Sequence, residues 1–100
     1  MIRSSKTFER PSTSVVWYQA TEEFNTYARE TYGVTGKRVS ITKVNGGADD
    51  LTITFVDVWK DRADYEVFVA DPIVSANRAR RDAYYAEHGV TIHKAVVETI

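Results

Sequence analysis

Two alternating runs on either side of Asn45-Gly46-Gly47 constrain this chain more than any other feature. Lys37-Arg38-Val39-Ser40-Ile41-Thr42-Lys43-Val44 precedes the glycines, and Leu51-Thr52-Ile53-Thr54-Phe55-Val56-Asp57-Val58-Trp59 follows them. Both runs are rich in β-branched residues at period two. Asn-Gly supplies the positive φ angles of a tight turn, so the segment predicts a β-hairpin. A long helical segment comes next, capped by Asp61, with Tyr65, Phe68 and Val69 as its first apolar stripe. Asp71-Pro72 interrupts it. Proline is comfortable at the first helical position behind an aspartate cap, which predicts a kink or two abutting helices. The continuation carries Ile73, Ala76, Ala79, Ala83 and Ala86 down one side, small enough to lie close to a sheet. Gly89 is the stop, and residues 90–100 read as the last strand.

The N-terminal part is weaker. Residues 2–10 alternate loosely, with Ile2 and Phe8 beside Ser4 and Lys6, which predicts an edge-like, partly exposed strand ended by Pro11. Residues 12–20 carry both strand propensity and helical spacing; an extended segment to Ala20 is the expected form. A helix over 22–32 follows, capped by Thr21, with acids Glu22 and Glu23 at its positive end and Phe24, Tyr27, Ala28 and Thr31 as its buried stripe. Gly33 ends it. The order is β-α-β-β-α-β. It predicts a single ferredoxin-like α+β domain over 1–100, an antiparallel four-stranded sheet with helices on one face.

With 13 basic and 14 acidic side chains the net charge is −1, so no broad field attracts nucleic acid or an anionic membrane. The absence of cysteine removes disulfides, thiolate nucleophiles and Cys-ligated metals. No apolar run approaches the ~20 residues of a membrane span, and Met1-Ile2-Arg3-Ser4-Ser5-Lys6 does not read as a secretion signal. A cytoplasmic location fits these features. Gly33-Val34-Thr35-Gly36-Lys37 lacks the spacing and strand-to-helix setting of a phosphate loop. Phe55-Val56-Asp57-Val58 lies where RNA-recognition folds place stacking aromatics, but the glycine-aromatic-glycine part is missing. No cofactor and no metal site is expected; His88 and His93 lack ligand-like spacing.

Three residues are candidates for chemistry: Asp57, Trp59 and His93. Under strict alternation Asp57 shares a face with Leu51, Ile53, Phe55 and Trp59. Desolvation would then raise its pKa and make it a general base. The favoured expectation is different: a bulge or twist turns the strand end outward and leaves Asp57 solvated near an ordinary ~3.9. His93 alternates with Ala95 and Val97 and suits either a pocket or a sheet edge. His88 suits a helix C-terminus. Arg78, Arg80 and Arg81 read as a solvated helix face, with Arg78 able to pair with Asp82. Val56 and Val58 make the opposite face of the third strand apolar as well. Helices cover one face only, so a second copy of the chain is expected on the other.

Residues 58–68, Val58-Trp59-Lys60-Asp61-Arg62-Ala63-Asp64-Tyr65-Glu66-Val67-Phe68, run on to Tyr84-Tyr85-Ala86-Glu87-His88-Gly89-Val90. This half of the chain resembles dimeric α/β-barrel proteins, including the antibiotic-biosynthesis monooxygenases. The resemblance implies sheet-to-sheet dimers and, in some members, cofactor-independent oxidation of aromatic substrates between sheet and helices. Phe8-Glu9-Arg10-Pro11-Ser12-Thr13-Ser14-Val15-Val16-Trp17, with Thr31-Tyr32 and Thr35-Gly36-Lys37, is similar to small tailed-bacteriophage proteins, implying an assembly role with other virion proteins and a virion location. The leading expectation is a non-catalytic homo-oligomeric assembly module, a bacteriophage structural protein. The alternative is a dimeric-barrel enzyme of cofactor-independent monooxygenase type, acting on a small apolar or aromatic substrate.

Overall fold

The computed structural model describes residues 1–100. The elements are β1 (Ile2–Glu9), α1 (Glu22–Ala28) continued by a π-helical turn (Arg29–Gly33), β2 (Arg38–Gly46), β3 (Thr52–Trp59), α2 (Arg62–Ala70), α3 (Pro72–His88) and β4 (Thr91–Thr99). The four strands form one antiparallel sheet in the order β2-β3-β1-β4, the ferredoxin-like α+β arrangement, and the helices pack on one face.

The hairpin forms, but its turn lies beyond Asn-Gly. Pairing continues through Asn45↔Ile53 and Gly46↔Thr52. Left-handed residues Gly47 (φ 60°) and Asp50 (φ 56°) make the reversal. Gly46 serves another purpose: a Cβ there would collide with the Thr52 side chain. The capping signals hold. Asp61 accepts from the Asp64 N–H and Asp71 from the Ile73 N–H, so α2 and α3 abut at Asp71-Pro72. Gly89 closes α3 in the left-handed conformation (φ 74°), and the His88 ring bonds the Tyr84 carbonyl there.

Three expectations are corrected. First, β1 is central, paired with β3 along one side and β4 along the other. Its inward row reads Ile2, Ser4, Lys6, Phe8 and pairs with Trp59, Asp57, Phe55, Ile53 of β3. The row is apolar at its ends and polar in its middle because the middle borders a cavity, not bulk water. Second, the first helix changes pitch: the π-helical turn carries Tyr32, not Thr31, into the core, where it is 2% exposed. Third, residues 12–20 are neither strand nor helix but a strap over α3. Tyr84 Oη donates to the Val16 carbonyl (2.6 Å), and Tyr85 Oη accepts from the Tyr18 N–H (3.2 Å).

Arg10 anchors that strap. It is 8% exposed and donates to the Asp50 carbonyl (2.7 and 3.0 Å), the Asp50 carboxylate and the Val15 carbonyl (2.8 Å), while lying over the Trp17 ring. A lysine has no planar fork for these partners. Arg10→Lys is therefore expected to lower stability by about 2 kcal/mol in a denaturant titration.

The buried apolar residues fall into two groups. Ile2, Tyr32, Trp59 and Val74 pack at one end, with Phe24, Tyr27, Tyr65 and Phe68 against them. Phe8, Ile53, Tyr85 and Val90 pack at the other, with Phe55, Trp17 and Tyr18. The inward pair Ser4–Asp57 and the Lys6 side chain lie between the two groups.

Candidate functional site

The gap between the groups is a partly open cavity of about 830 Å³ under α2 and α3. Its size follows from how α3 sits. The stripe expected to touch the sheet (Ile73, Ala76, Ala79, Ala83 and Ala86) faces solvent. The inward face carries Val74, Asn77, Arg78, Arg81 and Tyr85, at helical spacing. Val74 and Tyr85 are the buried contacts that seat the helix. The longer polar chains between them line the cavity. Arg78 and Arg81 thus line the cavity instead of forming a solvated face, and Arg81 pairs with Asp82 (3.0 Å) in place of the expected Arg78–Asp82 pair.

Asp57 lies on the cavity floor. β3 keeps strict alternation to its end because it is paired on both sides, Asp57 opposite Ser4 of β1 and Ile41 of β2. The outward twist expected for this strand end is absent. The Asp57 side chain is 20% exposed, and its charged partner, Arg38, stands at 3.8 Å. Arg38 is itself spread over the Trp59 and Phe68 rings. Burial pushes the Asp57 pKa up to about 6, and the Arg38 charge only partly opposes this. The Asp57 carboxyl faces a space that can hold a small molecule.

The other two candidates lie elsewhere. Trp59 is fully buried, enclosed by Tyr32, Tyr65 and Phe68, and supports the wall without lining the cavity. His93 is the extra residue of a β-bulge in edge strand β4, where pairing passes from Thr7↔Lys94 to Phe8↔Ile92. It is exposed and outside the cavity. Ser4, Lys6, Arg38, Tyr18 and Asn77 line the cavity and were not legible as site residues. For Ser4 and Lys6 the signal was present: polar side chains at the parity of Ile2 and Phe8. No group of three or more His, Asp or Glu side chains is placed to hold a metal ion, and no helix is long and apolar enough to cross a membrane.

The outward sheet face carries no helix. Val44, Val56, Val58 and Val96 lie there among Thr7–Thr54 (2.8 Å, hydroxyl to hydroxyl) and the Arg3–Glu98 ion pair (2.7 Å).

No family model and no curated protein matches the chain in sequence. Solved structures do match in fold. The cofactor-independent oxygenase SnoaB from Streptomyces nogalater superposes with a TM-score of 0.65 at 17% identity, over 99% of this chain and 91% of SnoaB. A dimeric ferredoxin-like protein from an uncultured marine organism gives 0.63 at 11% identity, covering 99% and 94%. An antibiotic biosynthesis monooxygenase gives 0.57 at 11%, covering 100% and 98%. The fold is thus the ferredoxin-like α+β fold that these structures share. These matches overturn the leading expectation of a non-catalytic assembly module of a bacteriophage virion.

Proposed function

We propose that this chain is a small homodimeric enzyme that binds an aromatic substrate between sheet and helices, with Asp57 as its general base. The observation that carries the reading is the desolvated Asp57 carboxyl on the floor of an 830 Å³ cavity. A carboxylate with a pKa near 6 is ionised at neutral pH, yet holds a proton more strongly than a solvated one. It suits removal of a proton from an acidic C–H or phenolic O–H. Phe8, Phe55, Tyr18 and Tyr85 offer aromatic faces to a planar ring. The fold shared with SnoaB supports the further reading that the deprotonated substrate reacts with dioxygen. In that step a ring CH₂ becomes C=O and the second oxygen atom leaves as water. The four electrons come from the substrate itself, so the balance requires no cofactor.

Oxygen uptake with a panel of electron-rich polycyclic phenols tests this reading. Uptake above the protein-free rate is expected with the native chain, falling about 10²- to 10⁴-fold in Asp57→Asn. Uptake that never exceeds the protein-free rate rejects the oxygenase reading.

The second copy belongs on the outward sheet face. Val56 and Val58 there would be covered by the partner's equivalent strands, a self-complementary interface. Val56→Lys inserts a charge into a desolvated surface and should weaken association by roughly tenfold or more. Sedimentation velocity across a dilution series measures this; an unchanged dimer would put the interface elsewhere.

A further inference from the structure

The cavity is cationic in a chain whose net charge is −1. Two of its charged groups are internally matched: Arg10 is neutralised by Asp50, and Arg38 stands beside Asp57. Arg81 shares its charge with Asp82 and lies over the Phe8 ring. That leaves Lys6, Arg78 and Lys43 lining the cavity with no carboxylate within ion-pair distance. Lys43, on edge strand β2, is exposed and solvated. Lys6 and Arg78 are not; both are only partly accessible, one rising from the central strand and the other descending from α3.

Lys6 is the residue that demands an explanation. It occupies the middle of a central strand on the inward face, where an aliphatic side chain would fill the gap between Ile2 and Phe8. Burial pulls its pKa below the ordinary value, and the neighbouring Arg81 and then Arg78 charges pull it further, with Asp82 only partly offsetting them. In the free protein these cations repel one another across the partly open cavity. A bound anion would reverse that, turning mutual repulsion into charge-assisted hydrogen bonds.

We infer that Lys6 and Arg78, with Arg81 beside them, bind a carboxylate on the substrate, so that the cavity takes an aromatic acid and not a neutral ring. This rests on the cavity being the ligand site, as proposed above. The register supports it. Lys6 pairs with Phe55, and Asp57 is the next inward residue along β3. Such diagonal neighbours are about 7–8 Å apart at the backbone, a spacing that a ring bearing a carboxylate can bridge. The carboxylate would anchor at Lys6, and the ring would lie along Phe55 with its reactive edge toward Asp57.

Isothermal titration of the full chain with 2-naphthoate, its neutral isostere 2-naphthamide and phenyl phosphate tests the inference. Naphthoate should bind at least tenfold more tightly than the amide, and its affinity should fall as salt is raised. Lys6→Met and Arg78→Gln should each remove most of that preference while leaving amide binding in place. Thermal unfolding of Lys6→Met should show a Tm equal to or above that of the native chain, because an unpaired half-buried cation has gone; a loss of binding through misfolding would lower it. Equal affinity for acid and amide, or an unchanged preference in both variants, overturns the carboxylate site and leaves the cavity reading standing. Phenyl phosphate binding well above naphthoate also overturns it, in favour of a phosphate site. No binding of any probe overturns both. Tight naphthoate binding, with no oxygen uptake on the phenol panel, leaves this inference intact and removes the oxygenase reading alone.

Discussion

Asp57→Asn is expected to make the fold more stable at pH 7, by about 2 kcal/mol, while turnover falls about 10²- to 10⁴-fold. The sign follows from the direction of the shift. The carboxyl has a pKa of about 6 in the native chain against an ordinary 3.8, so the folded state holds its proton more tightly than the unfolded chain does. Ionisation of Asp57 therefore opposes folding, fully so above pH 6. The penalty fades as pH falls from 6 toward 4 and is absent below 4. Asparagine carries no charge to desolvate, and the exchange loses only an ion pair at 3.8 Å to Arg38. Urea titrations at pH 7.5 and pH 4 should show the variant's advantage at the higher pH and its disappearance at the lower. A group kept at a net cost to the fold is one held for another purpose; an ordinary strand-end aspartate would show neither the gain nor its pH dependence.

Asp71→Ala is the opposite case and should be among the most damaging single substitutions. Its Oδ1 accepts from the Ile73 N–H and caps α3, while Oδ2 accepts from the hydroxyls of both Tyr27 and Tyr32. Burial pushes its pKa up, but the bonds from Tyr27, Tyr32 and the Ile73 and Val74 backbone outweigh this and leave it below the ordinary value. Burial and then Asp71 push the Tyr32 pKa up correspondingly. The cap alone is worth ~1 kcal/mol. Stranding the Tyr32 hydroxyl, in a side chain 2% exposed, adds ~1–3 kcal/mol, so a total loss of about 2–4 kcal/mol is expected in a denaturant titration. Tyr32→Phe in the Asp71→Ala background should restore part of it. Because the native pKa is depressed, the stabilisation is present above pH 4 and is lost as the pH falls through the native value.

The legible parts of this chain were those governed by local chemistry. Asp61, Asp71-Pro72 and Gly89 marked helix ends because a cap or a stop needs only its neighbours. Alternation gave the faces of β2 and β3. What sequence reading missed was which polar residues point into a cavity. Ser4 and Lys6 on β1 looked like solvent exposure, since a polar side chain at an inward position looks the same in sequence whether bulk water or a ligand space lies before it. α3 misled for a related reason. It has two candidate inward faces, and small alanines suggested close packing. The buried pair Val74 and Tyr85 decided otherwise, carrying Arg78 and Arg81 inward with them. An outward Asp57 is the expectation wherever a bulge or twist can turn a strand end; pairing on both sides of β3 keeps it inward all the same.

The most direct measurement is an NMR titration of the Asp57 carboxyl carbon in the full chain at neutral to acid pH. A midpoint near 6 is the expected result, with the transition removed in Asp57→Asn. A midpoint near the ordinary 3.8 would mean a solvated carboxylate, and would contradict the assignment of Asp57 as the base of this cavity.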